Sequence, residues 1–393
     1  MKRFVFYTII LALGISLAGC PQSNSQPQKR IPPLFMINAV YDTGKEPSYL
    51  VTDDFDADGH LDLVVLNSGE HNLSYLKGKG DGTFQEGIVI KTGADPIATA
   101  VADFNNDRLK DLAILNYQDG TLHILLNSGG GSFRNTGKII KPGRIPINLT
   151  TDDFNKDGLP DLMVSLRFHK VVYLQGKGNG VFEDPVEIAV RGQPTGVISG
   201  DYNKDGFRDL AVALAGSGNT GVQILWGEGN GKFDPSKNFR GGGQPLTIAN
   251  IDANNDGKID LVTSSNSLHA LTMVMNDGDK KFHALQDFAA GEFPKFIVAA
   301  DFSGDGIEDL AVSNATNDTI SVTLGRGDGT FIYPPVIHYV DEYPQGMAVG
   351  DFNQDGYLDL AVSCRDKNLI TILLKQGKQP SPLPGPTVQK TSG

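Results

Sequence analysis

An acidic pattern of ten residues, D-x-[DNS]-x-D-x-x-x-D-L, occurs seven times along this chain. Its copies begin at Asp54, Asp103, Asp153, Asp201, Asp252, Asp301 and Asp351, so successive copies lie 48 to 51 residues apart. A period near 50 residues is typical of architectures in which each repeat is one structural unit that buries its apolar faces against its neighbours. The repeat therefore constrains the fold more strongly than the overall composition does.

The spacing of oxygen-bearing side chains within each copy predicts a metal loop. Oxygens at positions 1, 3, 5 and 9 converge only if the backbone curls around a point, and Gly59 at position 6 of the first copy permits that turn. The first six positions of the pattern match the start of an EF-hand calcium loop. The pattern differs at its end, where Asp at position 9 takes the place of the EF-hand Glu at position 12. Because only hard oxygen ligands are offered, the pattern predicts up to seven Ca²⁺ ions. The predicted ligands are Asp54, Asp56, Asp58, Asp62, Asp103, Asn105, Asp107, Asp111, Asp153, Asn155, Asp157, Asp161, Asp201, Asn203, Asp205, Asp209, Asp252, Asn254, Asp256, Asp260, Asp301, Ser303, Asp305, Asp309, Asp351, Asn353, Asp355 and Asp359.

The second copy departs from the others, because Arg108 replaces the glycine at position 6 and brings a cation close to the site. We therefore rank the site at Asp103 below the other six. The alternative for all copies is an Asx-rich turn that joins two strands without a metal. Charge favours the metal, since the copies hold four carboxylates in the first and three in each of the other six. Without cations, such clusters repel.

The N-terminus predicts export. Lys2 and Arg3 form a basic start, and an apolar run from Phe4 to Leu17 is too short to span a membrane comfortably. The run ends in Leu-Ala-Gly-Cys at Cys20, which resembles a bacterial lipobox and implies acylation of Cys20 after cleavage. We interpret residues 1–19 as a lipoprotein signal peptide. The alternative is an ordinary secretory signal or a short membrane anchor.

Two segments outside the repeats are predicted to lack structure. Residues 20–34 are rich in Pro, Gln and Ser and are interpreted as a flexible tether, and residues 376–393 as a Pro-rich disordered tail. Pro21 follows Cys20 where an Asp would mark retention in the inner membrane, so the outer membrane or cell surface is the expected location. Cys364 is the only other cysteine and is expected to be a small core residue.

Each repeat carries four strand signals, which favours an all-β propeller with one four-stranded blade per repeat. A proline lies seven residues before every acidic loop, and a phenylalanine of a glycine-rich turn lies 12 or 13 residues before the next proline. The seventh repeat ends before that element, but Phe35 lies 12 residues before Pro47. We therefore predict that Phe35 to Gly44 forms the outer strand of the last blade. Residues 35–375 would then close a seven-bladed ring without an open edge.

The loops, followed by turns of the form G-x-G-[DN]-G-x-F such as that at Phe84, resemble the FG-GAP/VCBS repeat family. The resemblance covers residues 35–375. It implies a seven-bladed propeller of the integrin-α type with calcium in the loop between the first two strands of each blade. Members include integrin heads, fungal lectins, some polysaccharide lyases and bacterial surface lipoproteins, so the resemblance does not fix the function.

Ligands of propellers commonly bind the face opposite the metal loops. Three histidines occupy similar positions in their repeats on this face: His71, His169 and His269. They belong to blades 1, 3 and 5 and are therefore not neighbours, so solvated turn residues are a simpler interpretation than a metal site. Glu46 and Arg191 lie in the same connections. The ligand-face candidates are Tyr49, Tyr117, Arg144, Arg167, His169, Phe293, Phe296, Tyr343 and Arg365.

Three classes of function remain open from the sequence. The leading prediction is a non-enzymatic module, tethered to a membrane through Cys20, that binds a protein or glycan. A polysaccharide lyase- or dehydratase-like enzyme is one alternative, although no nucleophile motif or phosphate loop is present. A structural subunit of an envelope complex is another, and it predicts an apolar patch on the outer face of a blade. The formal net charge of −12 and the lack of a basic stripe argue against nucleic-acid binding.

Overall fold

The computed structural model describes residues 34–216 and 220–377 and confirms the all-β propeller of seven blades. Each blade is an antiparallel sheet whose first strand lies innermost, and the seven inner strands are neighbours around a central channel. A strand of eight residues, β1 (Phe35–Asp42), precedes the first repeat. The blades are numbered from the first acidic loop.

The first four blades contain sixteen strands. Blade 1 holds β2 (Pro47–Asp53), β3 (Asp62–Asn67), β4 (Asn72–Leu76) and β5 (Ile88–Lys91). Blade 2 holds β6 (Pro96–Ala102), β7 (Asp111–Asn116), β8 (Thr121–Asn127) and β9 (Phe133–Ile140). Blade 3 holds β10 (Pro146–Asp152), β11 (Asp161–Leu166), β12 (Lys170–Leu174) and β13 (Val186–Ala189). Blade 4 holds β14 (Gln193–Gly200), β15 (Asp209–Ala215), β16 (Gly221–Gly227) and β17 (Phe233–Phe239).

The last three blades complete the ring. Blade 5 holds β18 (Pro245–Ile251), β19 (Asp260–Ser265), β20 (Ala270–Gly278), β21 (Lys281–Ala284) and the two-residue β22 (Phe288–Ala289). Blade 6 holds β23 (Pro294–Ala300), β24 (Asp309–Asn314), β25 (Thr319–Thr323) and β26 (Val336–Tyr339). Blade 7 holds β27 (Pro344–Gly350), β28 (Asp359–Cys364), a 3-10 turn at Arg365–Lys367, and β29 (Leu369–Lys375).

The second strand of each blade is buried on both of its faces, because a blade packs against two neighbours. In β3, Leu63 and Val65 pack in a cluster with β29 of blade 7, whereas Val64 and Leu66 pack in a cluster with β7 of blade 2. All six residues of β3 are buried. The inner strands begin at proline in six of the blades, since proline lacks the N–H that a strand interior requires.

The N-terminal strand closes the ring as predicted. β1 pairs antiparallel with β29, from Phe35 opposite Lys375 to Asp42 opposite Leu369. The strand ends at Asp42, two residues before the predicted Gly44. Phe35 is 2% exposed and packs edge-on against Phe302 of blade 6, with ring centroids 5.7 Å apart. Blade 7 therefore has four strands although its own repeat supplies only three.

Aromatic contacts join neighbouring blades. The phenylalanine of each glycine turn packs against the acidic loop of the preceding blade, which accounts for its regular spacing in the repeats. Phe84 of blade 1 contacts Phe352 in the acidic loop of blade 7 at 5.6 Å, and Phe182 of blade 3 contacts Phe104 of blade 2 at 5.7 Å. A backbone hydrogen bond joins the same two blades, since the N–H of Gly82 donates to the carbonyl of Phe352 at 2.8 Å. Acidic loops and glycine turns therefore share one face of the ring, as expected.

The predicted signal peptide, Cys20 and most of the predicted tether and tail lie outside the described residues. Within residues 34–216 and 220–377, no helix has the length and apolarity needed to cross a bilayer. Cys364 is fully buried between blades 6 and 7, which confirms its predicted place in the core.

Candidate metal loops and ligand face

The first aspartate of each acidic loop organises the loop backbone. In blade 1, Asp54 Oδ1 accepts the N–H of Asp58 at 3.1 Å and Asp54 Oδ2 accepts the N–H of Gly59 at 2.9 Å. The same two bonds recur in blade 7, where Asp351 accepts from Asp355 and Gly356 at 3.0 and 2.8 Å. The loops are thus shaped by hydrogen bonds that do not require an ion.

The aspartate at position 9 lies beneath the loop and is fully buried in all seven blades. Asp62 shows its role: Oδ1 accepts the N–H of Gly78 at 2.8 Å, and Oδ2 accepts the N–H of Phe55 at 3.0 Å and the hydroxyl of Tyr75 at 2.9 Å. The carboxylate therefore ties the acidic loop to the glycine turn. Burial raises the pKa of Asp161 to about 6 and that of Asp309 to about 7.

The first loop brings three carboxylates together. Asp54, Asp56 and Asp58 each place an oxygen within 4.8 Å of the others, an arrangement found only there in the described part of the chain for groups of carboxylates. Lys77 Nζ now contacts Asp56 and lies 2.8 Å from Asp58. The hydrogen bond from Lys77 lowers the pKa of Asp58, so this carboxylate is held ionised.

Five other loops have asparagine at position 3, and its amide bonds to the aspartate at position 5. In blade 3, Asn155 Nδ2 donates to Asp157 Oδ2 at 2.8 Å, while Asn155 Oδ1 accepts the N–H of Asp157 at 2.9 Å. Blade 6 has Ser303, whose hydroxyl donates to Asp301 Oδ1 at 3.3 Å. All donor sets remain oxygen-only, which suits calcium.

The second loop reaches the same shape without glycine. Arg108 adopts a left-handed φ of +73°, and its N–H donates to Asp103 Oδ2 at 2.7 Å. A bulky residue in this region is strained. The second loop thus differs from the other six in its backbone at Arg108, and the lower rank of its metal site stays a prediction.

On the opposite face, six of the seven residues that precede the inner-strand prolines have a left-handed φ between +53° and +59°. A side chain from the turn between the second and third strands holds several of them. His71 Nδ1 accepts the N–H of Asp95 at 3.0 Å, and His269 Nδ1 accepts the N–H of Phe293 at 3.1 Å. These two histidines brace the connection, which favours the turn interpretation over a metal site.

Four of the candidate residues meet at the seam of blades 6, 7 and 1. Phe293 and Tyr343 occupy the position before proline in blades 6 and 7 and are half-buried. Arg365 Cζ lies 5.6 Å from the Tyr343 ring centroid, and one of its Nη atoms donates to Glu46 Oε2 at 2.8 Å. Lys295, which the sequence analysis did not single out, lies over the Phe293 ring at 4.7 Å.

Two further candidates line the channel next to this seam. Tyr49 of blade 1 and Phe296 of blade 6 are packed edge-to-face with centroids 5.4 Å apart. Blade 7 lies between them and has Gly346 at the equivalent position, where an added Cβ would come 3.1 Å from Tyr49 Cα. Burial raises the pKa of Tyr49. The two rings border a channel cavity of about 490 Å³.

The remaining candidates lie elsewhere on the ring. Tyr117, Arg144, Arg167 and His169 are exposed residues of blades 2 and 3 and of the connection between them. Among the described residues, none of these four forms an ion pair or ring contact with another candidate. The structure therefore brings together Glu46, Tyr343, Phe293 and Arg365, with Tyr49 and Phe296 beside them.

A protein-family model described as an FG-GAP-like repeat matches six overlapping segments of the chain. The segments are 54–114, 103–164, 153–212, 201–263, 252–312 and 301–362. Together they cover most of the propeller, and such a propeller fits a recognition module and is typically a non-enzymatic binding scaffold. No curated protein sequence matches the chain.

Solved structures share the fold at low sequence identity. A structure described as BBS1N in complex with ARL6DN, soaked with mercury, superposes with a TM-score of 0.63 at 11% identity and covers 88% of this chain and 98% of that chain. The same complex soaked with lead gives 0.63 at 13% identity with the same coverage. Raptor from Chaetomium thermophilum gives 0.61 at 11% identity, covering 91% of this chain and 30% of that chain.

Proposed function

The chain belongs to the FG-GAP-like repeat family, and on that premise we propose that it is a calcium-stabilised, non-catalytic module that recognises a protein or glycan outside the cytoplasm. The observation that carries the proposal is the contrast between the two faces. Loop groups such as Asp54 and Asp62 bond within the loops and turns on one face. On the other, aromatic and cationic side chains stay half-exposed at the channel mouth. Rigid scaffolds commonly carry their binding residues on such connecting segments.

Calcium enters the proposal as a stabiliser of the ring. Asp54, Asp56 and Asp58 would hold it in the first loop, and the equivalent oxygens would hold it in the others. An ion that binds only the folded chain raises the free energy of unfolding, and it would offset repulsion among neighbouring carboxylates. In the first loop the ion would have to displace Lys77, so binding there competes with an ion pair already formed.

The proposed tether is an acylated Cys20, supported by the lipobox-like residues that end in it. It would place the propeller at the outer membrane or cell surface. Mass spectrometry of the N-terminal peptide from the native membrane tests this directly. An unmodified peptide that begins before Cys20 would refute lipidation without affecting the recognition proposal.

The experiment for recognition is a binding screen with the full-length protein, run with calcium and again with chelator. The protein is applied to a glycan array, and in parallel it is cross-linked in the native envelope. Binding to defined sugars, or capture of one reproducible partner, supports the proposal when substitution of Tyr343 or Arg365 weakens it. The assignment of the ligand face would be refuted if substitutions in the metal loops weakened binding while substitutions on the opposite face left it unchanged.

One observation favours a second candidate, a structural subunit of an envelope assembly. Met36, Ile37 and Val40 on the outermost strand of blade 7 are 55%, 53% and 47% exposed. Exposed apolar residues on an edge strand are a contact surface for another chain. This function predicts a stoichiometric complex that survives purification and is lost when Ile37 and Val40 are replaced by lysine.

A further inference from the structure

The ligand face breaks its sevenfold symmetry at one position. The residue that follows the inner-strand proline lies at the same place in every blade, beside the channel mouth. Across the seven blades it is Ser48, Ile97, Ile147, Thr195, Leu246, Lys295 and Gln345. Only blade 6 thus places a cation at this position, and the other six blades place a neutral side chain there. The repeat fold therefore does not require a cation at this position.

Lys295 has no carboxylate partner among the described residues. Its Nζ lies 4.7 Å from the centroid of Phe293 and 5.8 Å from that of Tyr343. The side chain is half-buried, and its burial together with the nearby Arg365 lowers its pKa. A half-buried cation without its own counter-ion is stabilised when an anion binds beside it. The environment of Lys295 therefore favours a negatively charged guest.

Arg365 also lies close to the Tyr343 ring, and it already binds a carboxylate. Its guanidinium packs at 5.6 Å from the Tyr343 centroid and donates to one oxygen of Glu46 at 2.8 Å. A guanidinium has five N–H donors and can bind a carboxylate through two of them. The contact with Glu46 is partly exposed, so exchange for another carboxylate is sterically open.

We propose that Lys295 and Arg365, which both lie close to the Tyr343 ring, form a binding site for an aspartate or glutamate side chain of a partner protein. The inference rests on the proposed recognition function and names the ligand chemistry of that face. A side-chain carboxylate is the favoured guest, because Arg365 already binds one, that of Glu46, at 2.8 Å. Glu46 is the internal carboxylate that the guest displaces from Arg365.

The site can be tested without a known partner. Lysine amines of the full-length protein are methylated with ¹³C-formaldehyde, and Lys295→Met identifies the Lys295 signal, which the rings of Phe293 and Tyr343 shift. An acetylated, amidated Gly-Ser-Asp-Ser-Gly peptide is titrated against its Asn analogue. We expect the Asp peptide to move the Lys295 signal in a saturable way and the Asn peptide to leave it unchanged.

Other outcomes overturn the proposal. A response to glucuronate at concentrations where the Asp peptide gives none assigns the site to a sugar acid, and an equal response to chloride shows a general anion patch. No response to any probe shows that the cations do not form a site. Lys91→Met on the outer strand of blade 1 is the matched control and should leave the titration unchanged.

Once a partner protein has been captured, the same variants separate this inference from the function on which it rests. Loss of one charge-assisted hydrogen bond should weaken partner binding on the order of 10- to 100-fold for Lys295→Met. Arg365→Gln should weaken it as well, while circular dichroism stays unchanged. Undiminished binding by both variants refutes the carboxylate site and leaves recognition standing. A folded protein that captures neither protein nor glycan refutes recognition itself.

Discussion

Closure of the ring by the N-terminal strand can be tested through a single side chain. Phe35 is 2% exposed and meets Phe302 at 5.7 Å and His338 at 5.4 Å, both edge-on. Truncation of a buried phenylalanine to alanine costs about 3–5 kcal/mol. Phe35→Leu keeps most of the apolar volume and loses the aromatic contacts, which contribute about 0.5–1.5 kcal/mol. Ile37 on the same strand is 53% exposed, so Ile37→Ala should change stability by less than about 0.5 kcal/mol.

The assay is urea unfolding of the full-length protein, followed by tryptophan fluorescence and circular dichroism, for Phe35→Ala, Phe35→Leu and Ile37→Ala. We expect Phe35→Ala to lose the most stability, Phe35→Leu to lose less, and Ile37→Ala to lose the least. Hydrogen exchange at the amides of Ile370 and Ile372, which lie opposite β1, should accelerate most in Phe35→Ala. If Phe35→Ala were no more destabilising than Ile37→Ala, the N-terminal strand would not be a structural part of blade 7.

Three further predictions concern calcium and pH. Chelation should lower the melting temperature of the protein markedly, and an unchanged melt of demonstrably metal-free protein would contradict structural calcium. In calcium, Asp256→Ala should lower the melting temperature more than Asp107→Ala, because Arg108 already strains the second loop; the reverse order would contradict our ranking. Burial lowers the pKa of His338 to about 4, below its ordinary 6.5, with Lys375 also opposing its protonation. The unfolded chain therefore binds the proton more tightly, and stability present above pH 6.5 is lost as pH falls toward 4. Between pH 7 and 5 the wild type should lose about 2 kcal/mol more than His338→Leu, measured by urea unfolding; parallel pH profiles would contradict the buried, neutral histidine.

Much of the architecture was predictable because the repeat states it seven times. Proline at the start of an inner strand, the acidic loop and the turn phenylalanine each recur at fixed spacing. The missing seventh phenylalanine was found at Phe35 by that spacing alone. Only the end of the strand, at Asp42 rather than Gly44, differed.

The candidate ligand face was less accessible to the same reasoning. Its residues come from connections of three blades that are far apart in the chain: Glu46 and Arg365 are 319 residues apart and form one ion pair. Lys295 could have been noticed, since it is the only charged residue at its repeat position. The hydrogen bonds that His71 and His269 accept from the connection could not have been predicted, because they depend on the direction of a backbone N–H in a residue with a left-handed φ.

The sequence by itself determined the number of blades, the strand that closes the ring and the positions of the acidic loops, because local periodicity and spacing are properties of the chain. Only the tertiary structure decided that the buried aspartates at position 9 bind backbone N–H groups, and that Lys295 lies beside Arg365 without a carboxylate partner among the described residues. Ring closure is the physical reason. It brings the first and last repeats side by side, and so creates a seam of blades 6, 7 and 1 that no local stretch of sequence contains.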